Sequence, residues 1–571
     1  MNNFIRLYKY IDKNKPTLIA IIGCVIISNI SLLFTPLLIG KAVNYMINMD
    51  KDWFYNLIII LIVISFLYII SMLLSLFAQR LASKVSVEIT NNLRVKAFNK
   101  LQRLPINYFD KKPTGEIMSR LINDIEQIDD ALAQSFIQLI SGITTIILTM
   151  LFMFYLNAFV AVIAVFVTPL CFLIGFFITK YSRKKFVAQS NIVGDIDGYI
   201  EEIFSQQHTV KAFNYENNSM EHFEKLNEKL YKEGWQAQFG SALVNPSTRF
   251  VNNTTYVLVG IFSIISVLNG TLSPGNIASF LTYTNYFSKP INEISSTTMQ
   301  LQLASVSAGR VFEILDTPDE IDGDTLLTAP LCGNTIFKNV DFSYDKKNKL
   351  IENFNLNIKS GQKIAIVGKT GSGKTTLVNL LMRFYELDRG NIYIDEINIK
   401  DIAKESLRKN IGMVLQDTWL FSGTIKENIA YGKPNATQNE IINAAKAAYA
   451  HNFITRLEHN YNTVIEQNGV NLSKGEQQLL AIARVMLLDT PIIILDEASS
   501  NVDILTEKRI QKAFDELMKG KTSFVIAHRL STIKNSDVIL VLDKGNIIEQ
   551  GSHDELIKMK GLYSELYNSF E

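Results

Sequence analysis

A chain of 571 residues is too long for one hydrophobic core and predicts roughly three domain-sized units. Its 56 basic and 55 acidic residues nearly cancel, which leaves no electrostatic reason to expect a nucleic-acid partner. The apolar residues are spread unevenly: long uncharged runs fill the first half and a mixed, soluble composition fills the second, so half of the chain is expected to lie in lipid.

The first residues, Met1 to Lys15, set Phe4, Leu7, Tyr8 and Ile11 at helical spacing opposite Arg6, Lys9 and Lys13, the pattern of a short helix in the cytoplasmic membrane interface. The next apolar run, Leu18 to about Ile39, outlasts a signal peptide and is followed by no small-residue cleavage site, so it reads as a first membrane helix. Further spans are predicted at about Trp53 to Phe77, Leu132 to Leu156, Ala158 to Ile178, Phe250 to Leu268, and from Ile277 to Phe287 onward, six in all. The last is the weakest, because Lys289, Pro290 and Glu293 interrupt it.

Arg80 to Asp130 and Lys180 to Asn245 are long and rich in charge, whereas the alternate loops near Lys41 to Asp52, Asn157 and Asn269 to Ser273 are short and poor in basic residues. The long segments, both termini and the soluble half are therefore expected in the cytosol, with the spans in the plasma membrane. In Val85 to Leu104 apolar residues recur every three or four positions, so membrane helices are expected to continue below the bilayer as amphipathic rods. Turns between such rods are predicted at Pro105 to Gly115 and near Gln206 to Asn214. The rods read as levers, against the plainer reading of a solvated charged face.

After Arg310 the composition shifts; Asp316 to Pro330 has the Asp, Thr, Pro and Gly of a linker, and from Thr335 short β-rich runs alternate with helical stretches. The expected layout is a membrane domain at 1–310, a linker at 311–334 and an α/β nucleotide-binding domain at 335–571. The three cysteines, Cys24, Cys171 and Cys332, and the six histidines form no ligand spacing, so neither a disulfide nor a structural metal is expected.

The chemistry begins at Gly368 to Thr376, GKTGSGKTT, which matches G-x-x-x-x-G-K-[ST] through Gly368, Gly373, Lys374 and Thr375. It follows the apolar run Ile364 to Val367 and precedes Leu377 to Met382, the strand, loop and helix order that lets the backbone from Thr370 through Gly371 and Ser372 to Thr376 curl around phosphates. Lys374 is expected to reach the β and γ phosphates of ATP, and Thr375 to hold Mg²⁺. Downstream, Ile492 to Glu497 reads as a strand ending in two carboxylates: Asp496 as a partner of Mg²⁺ through water, and Glu497 as the general base on an attacking water.

This order of motifs resembles the ATP-binding cassette transporters of the exporter type, in which a six-helix all-α transmembrane domain with long cytosolic extensions is fused to an α/β P-loop cassette. The resemblance spans nearly the whole chain. It implies that Tyr344 stacks on adenine, that Gln416 senses Mg²⁺ and the attacking water, and that His528 contacts the γ-phosphate. It implies too that Ser500 to Asp503 crosses to a partner cassette, that Glu466 to Gly469 meets the membrane domain, and that the turns near Tyr108 and Phe213 are lever tips. The signature that caps the partner's ATP, normally L-S-G-G-Q, here reads Leu472, Ser473, Lys474, Gly475 and Glu476. Lys474 removes backbone freedom where a γ-phosphate must approach, and Glu476 adds negative charge near it. That departure favours a heterodimer of two half-transporters over a homodimer.

The resemblance implies ATP-driven export of amphiphilic or hydrophobic compounds, with a lipid flippase, a peptide exporter or a gated channel as alternatives. The membrane spans exclude a soluble cassette ATPase acting on nucleic acid. The helices around the expected cavity are rich in Phe, Tyr and Ile, with Lys289 and Glu293 at a spacing that lets them pair.

Overall fold

The computed structural model describes the chain apart from residues 1–5, 8–14, 50, 168, 328, 330, 346–348, 417, 467–468, 470, 497–502, 528–529 and 571. It divides into two compact units: Met1–Gln102 with Thr114–Thr317, and Arg103–Pro113 with Pro318–Glu571.

The first unit is helical throughout its described elements. Its long helices are Lys15–Asn48, Trp53–Leu101, Phe136–Leu156, Pro169–Ser205, Glu216–Leu268 and Pro274–Asp316. At 1.5 Å per residue the 49 residues of Trp53–Leu101 reach about 74 Å, over twice a hydrocarbon core of about 30 Å, so a helix of that length that crosses a bilayer must also leave it. Its burial changes along its length in agreement. Ile62, Phe66 and Leu73 are exposed, as lipid-facing side chains would be, whereas Ile89, Leu93 and Ala97 are buried at helical spacing against Ile125, Ile128 and Phe312. One helix thus belongs to two solvents.

Among the described residues four helices are long and apolar enough to cross a membrane: Lys15–Asn48, Trp53–Leu101, Thr114–Leu156 and Pro246–Leu268. Of the predicted span Ala158 to Ile178, Ala158–Val167 is an apolar helix, Thr168 lies outside the described residues, and Pro169–Ser205 is helical. Pro274–Asp316 is one continuous helix through Lys289, Pro290 and Glu293, whose polarity keeps it out of the apolar group. The predicted interfacial helix falls mostly outside the described residues; of it, Arg6 pairs with Asp316 at 2.5 Å and Leu7 is buried beside Phe312.

Several polar groups in the helix interfaces are satisfied locally. Pro36 inside Lys15–Asn48 cannot donate to Leu32, and the Thr35 hydroxyl donates to the Leu32 carbonyl instead at 2.7 Å. Tyr283 and Ser279 of Pro274–Asp316 donate to the Leu33 and Pro36 carbonyls, each at 2.7 Å, which ties that helix to Lys15–Asn48.

The second unit holds a six-stranded sheet in the order Asn546–Gly551, Val538–Asp543, Lys363–Gly368, Thr522–Ile526, Ile492–Asp496 and Ile411–Val414. All its neighbours run parallel except the first pair. The central strands are apolar on both faces because both are covered: Ile364 and Ile366 enter one core, Ala365 and Val367 the other. A four-stranded antiparallel sheet, Ile351–Ile358, Thr335–Phe342, Arg389–Ile394 and Ile397–Asn398, completes the layers.

The stretch read as a linker is pinned down. The preceding helix continues to Asp316, and from Pro318 the chain packs on the cassette. Glu320 pairs with Lys404 and Arg408 at 2.8 Å each, Asp322 accepts from the Lys404 backbone at 2.7 Å, and Thr325 exchanges backbone hydrogen bonds with Asp401 and Ala403. Burial pushes the Glu320 carboxyl up, and the two cations outweigh it, holding it below the ordinary carboxylate range. These partners lie some 80 residues apart in sequence, so composition alone reads as slack.

Candidate nucleotide site

The phosphate loop is built by backbone conformations that only glycine takes without strain. At Gly368, where the strand ends, φ is +155° and an added Cβ would lie 2.3 Å from the Leu542 carbonyl. Gly373, at φ +101°, occupies the cap position of the helix Lys374–Leu381 and supplies no side chain, so the first N–H groups of that helix receive no side-chain cap. They are the groups that would meet phosphate oxygens.

Lys374 donates from Nζ to the Gly368 carbonyl at 2.8 Å and to the Lys369 carbonyl at 2.9 Å. The ammonium is thus held by the loop it would leave on meeting phosphate. Burial pulls its pKa down, and Asp496 opposes that shift. Ser372 is buried with no hydrogen-bond partner for its hydroxyl.

Tyr344, the loop residues Thr370, Gly371, Gly373, Lys374, Thr375 and Thr376, and then Gln416 and Asp496 line one cavity of about 520 Å³, within the range of small-molecule sites. Gln416 follows the strand Ile411–Val414 and Asp496 ends Ile492–Asp496, so adjacent parallel strands carry both to the same end of the sheet. Tyr344 is anchored by a 3.1 Å hydrogen bond between its hydroxyl and Thr376 Oγ1 and by an edge contact with Tyr385, while its ring stays half-exposed. One carboxylate, a hydroxyl and an amide oxygen suit Mg²⁺, which takes few protein ligands and shares the rest with phosphate and water. Among the described residues no group of three His, Cys, Asp or Glu is placed to hold a metal.

Glu497, His528 and Ser500 lie outside the described residues. Asp503 faces its own helix: its Oδ1 accepts from the Leu505 and Thr506 N–H groups at 3.1 and 3.0 Å, and these bonds hold its carboxyl below the ordinary range. Of Glu466 to Gly469, Gln467 and Asn468 are outside the described residues, and Gly469 N donates to the Glu466 carbonyl at 2.8 Å.

The signature stretch is away from that cavity, at the start of the helix Lys474–Leu488. Leu472 and Gly475 are buried. Ser473 is the cap: its hydroxyl accepts from Glu476 N at 3.4 Å, while Glu476 Oε2 accepts from Ser473 N at 2.9 Å and Ser473 Oγ at 2.8 Å. The Glu476 carboxylate is therefore turned back into a capping box and engaged within its own chain. S-x-x-E is a readable sequence signal; seen only as an altered signature, it suggested a charge aimed at phosphate.

Sequence reasoning missed two positioning groups. Gln477, buried, donates from Nε2 to the Gly469 carbonyl at 2.7 Å and the Leu472 carbonyl at 3.1 Å, bracing the loop before the signature. Tyr385 donates to Asp110, in the short helix Ile106–Lys111, and the segment Arg103–Pro113 that carries this helix belongs to the same unit as the cassette. Burial, with Asp110 adding to it, pushes the Tyr385 hydroxyl well above its usual range. The second predicted turn contains the helix Gln207–Ala212 and leaves Phe213 exposed.

Comparison with known proteins agrees with this geometry. The family model described as ABC transporter transmembrane region matches residues 18–291, and the one described as ABC transporter matches residues 351–500. A Mycobacterium bovis protein named fatty acid ABC transporter ATP-binding/permease protein is 41% identical over 494 residues, covering 86% of this chain and 78% of that one. A Syntrophus aciditrophicus protein named ATP-dependent lipid A-core flippase is 38% identical over 498 residues, covering 86% and 82%. Among solved structures, a bacterial Atm1-family ABC exporter with ATP bound superposes with a TM-score of 0.77 at 26% identity, covering 97% of this chain and 98% of that chain.

Proposed function

This chain belongs to the ABC transporters, an exporter-type membrane domain and an ATP-hydrolysing cassette in one polypeptide, and on that premise we propose that it exports or flips amphiphilic or hydrophobic compounds across the plasma membrane. The observation that carries the ATP-driven part is the convergence of Lys374, Thr375, Gln416 and Asp496 on one cavity. Lys374 neutralises charge on the β and γ phosphates and Tyr344 offers a ring to adenine; the family resemblance assigns the attacking water to Glu497 and Gln416 and a γ-phosphate contact to His528. Thr375, Gln416 and Asp496 would hold Mg²⁺, which supplies further neutralisation of the phosphates.

Two relatives named for a fatty acid and for lipid A core share acyl-chain chemistry, which supports an amphiphile as the substrate class. The protein works as a dimer of half-transporters with both termini and the cassettes cytosolic. Lys474 at the first glycine of the signature favours a heterodimer, in which a partner's unaltered signature completes the site built here; a homodimer would use the altered one twice.

The test is ATP hydrolysis and vesicle transport with a panel of single-chain amphiphiles, with and without a second cassette chain. Amphiphile-stimulated hydrolysis with vectorial transport is expected; hydrolysis indifferent to every amphiphile would remove the substrate reading. Glu497→Gln should retain ATP binding and slow turnover by orders of magnitude, and turnover at the unaltered rate would remove Glu497 from the mechanism.

A further inference from the structure

The first unit encloses a cavity of about 300 Å³ where Lys15–Asn48, Trp53–Leu101, Phe136–Leu156 and Pro274–Asp316 meet. Lys289, on its wall, is fifteen residues along its helix from Pro274, about 22 Å; with the bilayer edge at the short loop expected before Pro274, that falls inside a hydrocarbon core of about 30 Å. A cation at such depth is costly unless it serves a ligand, a counter-ion or a water-filled path. Lys289 makes no ion pair with any described residue.

The groups around it are arranged as donors. Gln138 Oε1 accepts from the Thr297 hydroxyl at 3.3 Å, which leaves its Nε2 amide for another acceptor. The Asn29 amide is spent on Ser141, at 3.2 Å to both its carbonyl and its hydroxyl, so it braces the wall. Gln79 adds an exposed amide, and the remaining wall includes Leu32, Ile137 and Ile294. An ammonium and two amides above apolar surface suit an acceptor-only group at the end of a hydrocarbon chain.

We infer that this cavity is a headgroup subsite for a single-chain amphiphile with a monoanionic head, a carboxylate, gripped by Lys289 with Gln138 and Gln79. Glu293, one helical turn from Lys289 on the same wall, sets the charge limit: its carboxylate repels a second negative charge, so a dianionic head is rejected. This site rests on the amphiphile-exporter reading and sharpens it from any hydrophobic compound to an acid.

The experiment is binding in nanodiscs containing the full-length dimer, with spin-labelled palmitate, hexadecanol and hexadecyl phosphate as probes. Palmitate is expected to bind, and Lys289→Gln to weaken it roughly ten- to hundredfold, the worth of a charge-assisted hydrogen bond, while hexadecanol binding is unchanged. Lys289→Arg should retain palmitate within about threefold. Glu293→Gln should strengthen hexadecyl phosphate roughly tenfold relative to palmitate. Unchanged palmitate binding in Lys289→Gln, or equal loss of palmitate and hexadecanol, overturns the subsite. Palmitate-stimulated ATP hydrolysis in the same preparation then reports separately whether export stands. Failure of every probe to bind the unsubstituted protein overturns the subsite and the amphiphile reading together.

Discussion

The cassette helices that begin on Lys374 and on Lys474 treat their first backbone N–H groups in opposite ways. Before Lys374 stands Gly373, which offers those groups no side chain; before Lys474 stands Ser473, which with Glu476 closes a capping box over them. An uncapped N-terminus carries orphan donors and a partial positive charge, so it waits for an anion. In a capped one the N3 donor is already engaged by its own chain, beside an internal carboxylate. The same residue type at the same helical position thus sits in a site ready for phosphate and in one whose nearest carboxylate is internal.

The comparison breaks most sharply at Lys374. Lys374→Ala removes the cation that faces the phosphates and should cut ATP binding and hydrolysis by orders of magnitude, read by nucleotide affinity and steady-state turnover; near-normal affinity would mean that the open N–H groups suffice without it. Next comes Gly373→Ala, which puts a Cβ on a residue at φ +101° and should lower nucleotide affinity by about tenfold or more through loop strain. Retained affinity there would show that the loop does not need this conformation to bind.

Smaller effects are expected at the second helix. Glu476→Ala opens the capping box and should cost about 1 kcal/mol, a fall of roughly 2–4 °C in the cassette's melting temperature. Glu476→Gln, which can still close the box, should cost little; equal losses in both variants would mean that packing, not the cap, matters there. The smallest change in stability is expected for Lys474→Gly, because lost helix propensity and a relieved clash with the helix dipole oppose each other. Its readout is activity: in the chain assayed without a second cassette partner, Lys474→Gly should raise ATP turnover if this residue hinders the site it caps, and unchanged turnover would end that explanation.

What could be read from sequence follows the range of each interaction. The phosphate loop and the strand before Asp496 are local patterns, and the fold sets Lys374, Thr375, Gln416 and Asp496 around one cavity. The capping box is equally local, yet its S-x-x-E lay inside a family motif and was read through it. Contacts that bind distant stretches left no local trace: Glu320 with Arg408 is 88 residues apart, and Asp110 with Tyr385 is 275. Gln477 was passed over for a different reason, since a buried amide that braces two carbonyls looks in sequence like any polar residue on a helix. The interrupted span at Lys289 looks weak in sequence because of the very residues that line the first unit's cavity.

The helix Trp53–Leu101 holds neither Gly nor Pro, whereas Lys15–Asn48, Glu216–Leu268 and Pro274–Asp316 each carry an internal proline. A straight helix of that length, about 74 Å, would turn a tilt of about 5° at one end into about 6 Å at the other. Two residues after its end the chain enters Arg103–Pro113, and about 6 Å exceeds the rise of one helical turn.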